Sequence, residues 1–233
     1  MGLDIYVGTL TRYHAGAWKT IVQQTMGAQG ISVRTVRANA SPDAVTDTKV
    51  IEKAVREWRG QLAAALKSQT ASSVDWTEGM GSPYFTDKPD WDGYGAVVLL
   101  AAYHAIGRPV PSGVNDKWQS DPAIAEAKAR KAYRHILEPE WWLPVADDLV
   151  FVCPTLAGNR VQVGSSVRLR DQLGELNAAT LSGSDADLAR WRHDGPPDPP
   201  SKDLQHAARF GLAILTELSG RAIEHRLPML LDY

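Results

Sequence analysis

Residues 82–106 read SPYFTDKPDWDGYGAVVLLAAYHAI and join an aromatic, acidic segment directly to the most apolar run of the chain. From residue 93 to 106 nearly every position is apolar, so no face of a helix formed here would suit contact with water. This pattern predicts a helix buried at the centre of the fold. Asp90 and Asp92 lie just before it, where a carboxylate would cap the helix and interact favourably with its positive end.

The remaining periodicity indicates an α+β protein that is mainly helical. Apolar residues at helical spacing, with charged residues on the opposite side, predict a clear amphipathic helix over residues 49–67. Alternating apolar and polar residues predict a strand at the start of the chain and a β-hairpin near residues 149–163. Because strands are few and not regularly interleaved with helices, we expect a small antiparallel sheet surrounded by helices.

The domain organisation follows from one shift in composition. A proline-rich connector at residues 195–200 precedes the last predicted helix, residues 203–225, and an apolar tail that should dock against the fold. One helix and a tail bury too little apolar surface to form a core of their own. Residues 1–233 are therefore predicted to form a single domain.

Composition argues against several classes of protein. A net charge of −2 and a pI near 6.3 give no general attraction to nucleic acid or to anionic lipid. The longest apolar run is too short to span a bilayer, and Asp4 stands where a cationic leader would be, so we expect a cytoplasmic protein without membrane contact. The only cysteine, Cys153, lies in an apolar segment that is typical of a core strand.

The acidic, aromatic segment before the buried helix is the first candidate binding site. It offers Tyr84, Phe85 and Trp91 together with the charged side chains of Asp87 and Lys88. Rigid aromatic side chains within a charged surround are typical of tight protein interfaces. These five residues are therefore predicted to contact a partner with a basic surface.

Trp141 and Trp142 form the second candidate. Two adjacent side chains in an extended chain point in opposite directions. One indole can then enter the core while the other stays partly exposed as an interface anchor; the alternative is that both pack inside.

The same acidic segment allows a second hypothesis, in which Asp87, Asp90 and Asp92 come together in a turn. Clustered carboxylates hold hard divalent cations such as Mg²⁺ or Ca²⁺, and paired acids exchange protons with a substrate. With His104 they would form the site of a hydrolase or transferase that uses a divalent metal. Helix capping and surface ion pairs are the structural alternative, and the sequence lacks the P-loop, dinucleotide-binding and common hydrolase motifs.

Three segments carry a resemblance. MGLDIYVGTLTRY (residues 1–13), YFTDKPDWD (residues 84–92) and WWLP (residues 141–144) resemble a bacterial family of uncharacterised proteins, and this resemblance implies no activity. Residues 143–176, with a Leu-Pro pair, two acids, a hairpin and a short helix, are similar to the sheet region of bacterial immunity proteins of the SUKH type. That similarity implies a protein that binds and neutralises a toxin.

The leading hypothesis is thus a cytoplasmic protein-binding module without a cofactor, of which a toxin-neutralising immunity protein is one form. It depends on the missing catalytic motifs, on the eight Trp residues and on the acidic, aromatic segment. The alternative is an enzyme that works through the acids of residues 87–92, with a divalent metal.

Overall fold

The computed structural model describes residues 2–33, 47–67, 70, 74–196 and 203–233. The strands in this part of the chain are β1 (Asp4–Val7), β2 (Phe85–Asp87), β3 (Trp141–Leu143), β4 (Phe151–Pro154), β5 (Arg160–Ser165) and β6 (Met229–Asp232). The helices are α1 (Leu10–His14), α2 (Ile21–Ala28), α3 (Thr48–Leu66), α4 (Asp90–Ile106), α5 (Pro122–Ala129), α6 (Arg134–Leu137), α7 (Ser166–Thr180), α8 (Asp185–Asp194) and α9 (Leu204–His225), with a 3-10 turn at Trp118–Ser120.

The strands form one six-stranded sheet in the order β2-β1-β6-β3-β5-β4. About 53% of the chain is helical, so the predicted α+β class with predominant helix is confirmed. The hairpin is confirmed as β4 and β5, which pair antiparallel. The sheet is mostly antiparallel, and one pair, β3 and β5, runs parallel. The chain returns through β4 between them, which gives β3 and β5 the same direction.

The C-terminal strand β6 lies in the middle of the sheet. It pairs antiparallel with β1 on one side and with β3 on the other. The tail therefore docks as predicted. It lies between β1 and β3, and β3 in turn pairs with β5 of the hairpin. The tail has no alternation of apolar and polar residues, so its sequence alone does not identify it as a strand.

Helix α4 is buried almost throughout, as its composition predicts. It packs against α9, and the two backbones approach each other where Gly93 faces Gly211. The capping hypothesis is wrong: α4 begins at Asp90, its N-cap is Pro89, and no side chain caps it. Asp90 and Asp92 instead lie in its first turn, where their charges still favour the positive end of the helix.

The sheet separates two hydrophobic cores. On one face, side chains of β1 and β6 pack against α4, α7 and α9. On the other face, the apolar stripe of α3 packs with Tyr6, Trp76 and the hairpin, and Cys153 is buried there as predicted. Because β1 alternates, Ile5 enters the first core and Tyr6 the second.

The predicted connector at residues 195–200 lies, from residue 197 onward, outside the described residues, and the single-domain organisation stays a prediction. The last helix begins at Leu204 with Asp203 as its cap. None of the helices in the described ranges is long and apolar enough to cross a membrane.

Candidate functional site

Three neighbouring strands bring carboxylates to one end of the sheet. The register places Asp4 of β1 opposite Asp232 of β6, and Ile5 opposite Asp87 of β2. The chain then turns at Lys88 into the first residue of α4, Asp90. We call this set of Asp4, Asp87, Asp90 and Asp232 the acidic sheet end.

Asp4 is the least compensated group of the acidic sheet end. Its Oδ1 is buried and has no hydrogen-bond partner in the structure. Burial, as the largest cause, raises the pKa of Asp4 from 3.8 to about 6, and the charges of Asp232, Asp90 and Asp87 add to this rise. Lys88 acts in the opposite direction and lowers the pKa without cancelling the effect.

The other carboxylates each have a partner. The Tyr13 hydroxyl donates to Asp232 at 2.7 Å, and Arg192 Nε donates to Asp87 at 2.8 Å. Lys88 Nζ lies 3.4 Å from Asp90. These bonds position the acidic sheet end through groups from both faces of the sheet and leave Asp4 as the carboxylate without a donor among the described residues.

The proposed metal triad is not assembled. Asp87 is held by Arg192 and by the backbone N–H of Lys88, Asp90 pairs with Lys88, and Asp92 is exposed in the first turn of α4. In the described part of the chain no group of three or more His, Cys, Asp or Glu side chains is arranged to hold a metal ion. The segment that was expected to form one turn is instead a strand end followed by a helix.

An aromatic pair lies in the C-terminal tail and the first turn of α4. The rings of Trp91 and Tyr233 are 5.1 Å apart and meet edge to face. Tyr233 is 54% exposed, and its pKa is raised by burial of part of the ring and by its hydrogen bond to the Glu140 carboxylate. Asp232, the neighbour of Tyr233 in sequence, belongs to the acidic sheet end. Trp91 is partly buried against the first core and follows Asp90 in sequence.

Tyr84 and Phe85 point away from this surface. The Tyr84 ring lies over Tyr6 at 6.3 Å and under the guanidinium of Arg12. Phe85 stacks on His225 at 5.0 Å, on the opposite face of the sheet. Strand alternation separates them, so the structure does not bring the five predicted side chains of this segment into one site.

The two adjacent Trp residues are both buried, which corrects the expectation that one serves as an exposed anchor. Trp142 is 0% exposed and lies in the core with α4 and α9, whereas Trp141 is 8% exposed and lies in the core with α3. They point in opposite directions as predicted, but helices cover both faces of β3. Neither indole is available to a partner.

A buried histidine was missed by the sequence analysis. His135 Nε2 lies 2.8 Å from Asp148, and His135 Nδ1 accepts a hydrogen bond from the backbone N–H of Ser165 at 3.0 Å. Burial lowers the pKa of His135, although Asp148 opposes the shift, so the ring stays neutral and connects α6 to β5. His104, the histidine that the sequence analysis singled out, is exposed and contacts the Tyr133 hydroxyl. No local signal distinguishes the two.

Comparisons of the chain with protein-family models, with curated proteins and with solved structures find no match. The geometry of the acidic sheet end therefore carries the functional argument.

Replacing Asp4 by Asn should stabilise the protein at pH 8. With a pKa of about 6 in the folded state and 3.8 as reference, the stability that the protonated carboxyl supplies is present below pH 3.8 and lost as the pH rises through 6. Asp4→Asn removes the buried charge, and we expect a gain of about 1 kcal/mol, less than the full shift implies because water reaches part of the carboxyl. Thermal melts from pH 4 to 8 measure this difference.

The advantage of Asp4→Asn should fade between pH 6 and pH 4. Asp92→Asn is the matched control, because the same charge is removed from an exposed carboxylate in the first turn of α4. A melting temperature of Asp4→Asn at or below that of the original protein at pH 8 would show that Asp4 is compensated.

Proposed function

We propose that this protein is a protein-binding module that receives a basic segment of a partner at the acidic sheet end. One observation carries the proposal: Asp4 holds a buried carboxylate oxygen without a donor, among three further carboxylates. A buried charge without a partner costs folding free energy, and such costs are typical of functional sites. An ammonium or guanidinium group of a partner, bound at the part of the Asp4 side chain that solvent reaches, would compensate this charge.

The charges around Asp4 support a cationic ligand. Among the described residues, two side-chain cations contact two of the four carboxylates of the acidic sheet end, Lys88 at Asp90 and Arg192 at Asp87, so negative charge is in excess. Arg192 already donates a hydrogen bond to Asp87, and Lys88 Nζ lies 3.4 Å from Asp90. An arriving cation would face Asp4 and Asp232 across the β1–β6 pair, where hydrogen bonds to charged groups are stronger than neutral ones.

Trp91 and Tyr233 adjoin two members of the acidic sheet end in sequence, Asp90 and Asp232. Trp91 is partly buried and Tyr233 is exposed, so together they offer a firm ring surface that costs little entropy to order. Guanidinium groups stack on such rings, and aromatic side chains concentrate binding energy in protein interfaces. An arginine-rich surface is therefore the favoured target. Neutralisation of a basic toxin by covering that surface is one form of this function.

The test is a titration with a basic peptide. We expect a hexa-arginine peptide to bind in isothermal titration calorimetry at low salt and a hexa-glutamate peptide to give no heat. Asp4→Asn should weaken binding about tenfold, the equivalent of one hydrogen bond to a charged group. Because the contact is electrostatic, affinity should fall as salt is added.

Glu57→Gln is the control for overall charge, since Glu57 is an exposed acid on the outer side of α3. It should leave the affinity of the peptide unchanged. If Glu57→Gln and Asp4→Asn weaken binding equally, the peptide senses net charge only and the acidic sheet end is not the site.

A further inference from the structure

The hairpin strand β4 ends the sheet on the side opposite to β2. Among the described residues no strand pairs with its outer side. Residues 149–154 read LVFVCP and contain no charge, and Val152 is 48% exposed. Proteins usually protect an edge strand with charged residues, proline or a covering segment, since an open edge recruits another strand.

The hydrogen bonds of the hairpin show which backbone groups of β4 face outward. Thr155 N donates to Asn159 O across the turn, and the same register pairs Cys153 with Val161. Bonded pairs alternate along an antiparallel ladder, so Cys153 and Phe151 bond to β5 while Val152 turns its N–H and C=O away. A contact on the other side of β5 agrees with this alternation of inward and outward backbone groups. The Gln162 carbonyl, opposite Val152, accepts from Glu140 N on the far side of β5.

The row of β4 backbone groups that face away from β5 ends at Pro154. Pro154 has no N–H, and its carbonyl accepts a hydrogen bond from Trp58 Nε1 at 2.7 Å. Within β4, Val152 has both an outward N–H and an outward C=O. Val150 lies just before the strand, where the same alternation would turn its N–H and C=O outward as well. No hydrogen bond in the described structure uses the outward groups of either residue. This short stretch of outward backbone thus has no hydrogen-bond partner among the residues that the structure describes.

We propose that a second copy of this chain occupies this edge, with the two β4 strands antiparallel around a two-fold axis beside Phe151. In that register Val150 of one copy pairs with Val152 of the other, and the reverse. The four N–H groups and four C=O groups of these residues are then all bonded. Pro154 lies outside the bonded stretch, so its missing N–H costs nothing.

The side chains suit this arrangement. Phe151 is partly buried in the core with α3, and the two Phe151 rings would meet across the axis as a non-bonded cross-strand pair. Val152 would pack on Val150 of the other copy. This self-complementarity favours a second copy over an unrelated strand.

Light scattering coupled to size exclusion tests the dimer. The full chain should elute with twice its mass of 25.4 kDa at about 100 μM and dissociate on dilution. Val152→Lys should reduce the mass to that of one chain, because lysine on an edge blocks strand addition. Val152→Pro should do the same, since it removes only an outward N–H.

Val50→Lys is the matched control, because Val50 is 50% exposed on α3, about two helical turns before Trp58. It should leave the dimer intact. A monomer at 100 μM, or a dimer that survives Val152→Lys, would overturn the proposal. Circular dichroism of each variant shows whether it is folded; if Val152→Pro is unfolded, Val152→Lys still decides.

Discussion

Replacing Gly211 by Ala should be among the most destabilising single substitutions in the protein. A Cβ built on Gly211 would overlap the carbonyl oxygen of Gly93 and lie 2.6 Å from its carbonyl carbon. The obstacle is backbone, which cannot swing aside as a flexible side chain does, so α4 and α9 must separate. Overpacking of this kind costs about 1–3 kcal/mol and more where backbone must move, and we expect about 3 kcal/mol or more by urea denaturation.

Two glycines provide controls for the same change. Gly174 lies on α7 with open space around it, so Gly174→Ala should stabilise the protein by about 0.5–1 kcal/mol. A Cβ on Gly93 meets atoms at 3.6 Å, an ordinary contact, and Gly93→Ala should be tolerated. If Gly211→Ala behaves like Gly93→Ala, the two helices do not cross as closely as the structure has them.

Replacing Trp142 by Ala should cost about 3–5 kcal/mol of unfolding free energy. Trp142 is the largest fully buried side chain, and its Nε1 donates to the His135 carbonyl at 2.8 Å. The substitution leaves a cavity next to α4 and removes a donor from a buried carbonyl, and both effects destabilise. Chemical denaturation followed by circular dichroism measures the change.

Trp142→Phe separates the two contributions. Phenylalanine fills most of the cavity but donates no hydrogen bond, so its cost should be clearly smaller than that of Trp142→Ala. The outcome also bears on the anchor hypothesis for this residue. A Trp142→Ala variant that keeps its stability but loses affinity for the arginine peptide would place the indole at the surface and contradict its burial.

The two proposals are compatible in space. The acidic sheet end involves β1, β2 and β6, whereas the proposed dimer uses β4 at the opposite edge of the sheet. A dimer would therefore present two acidic sheet ends, and a partner with two basic segments would bind with increased avidity. The Val152→Lys monomer would then keep its affinity for a single arginine peptide, which makes the two proposals separable.

The acidic sheet end was only partly predictable. Sequence reasoning singled out Asp87, Lys88 and Trp91, which lie in a segment of unusual composition, and considered Asp4 for its position near the start of the chain. Asp232 and Tyr233 were not considered. These residues meet because β1, β2 and β6 pair side by side, and the choice among strand partners depends on hydrogen bonds between distant segments that no local pattern records.

Local patterns alone determined the elements whose signal is strong and short in range. The buried helix α4 follows from apolar residues on every face, α3 from one apolar stripe, and the hairpin from alternation on both sides of a short loop. Tertiary structure decided the rest. The insertion of β6 between β1 and β3, the parallel β3–β5 pair and the burial of both Trp141 and Trp142 all depend on which helices cover which face, and that is settled by packing across the whole chain.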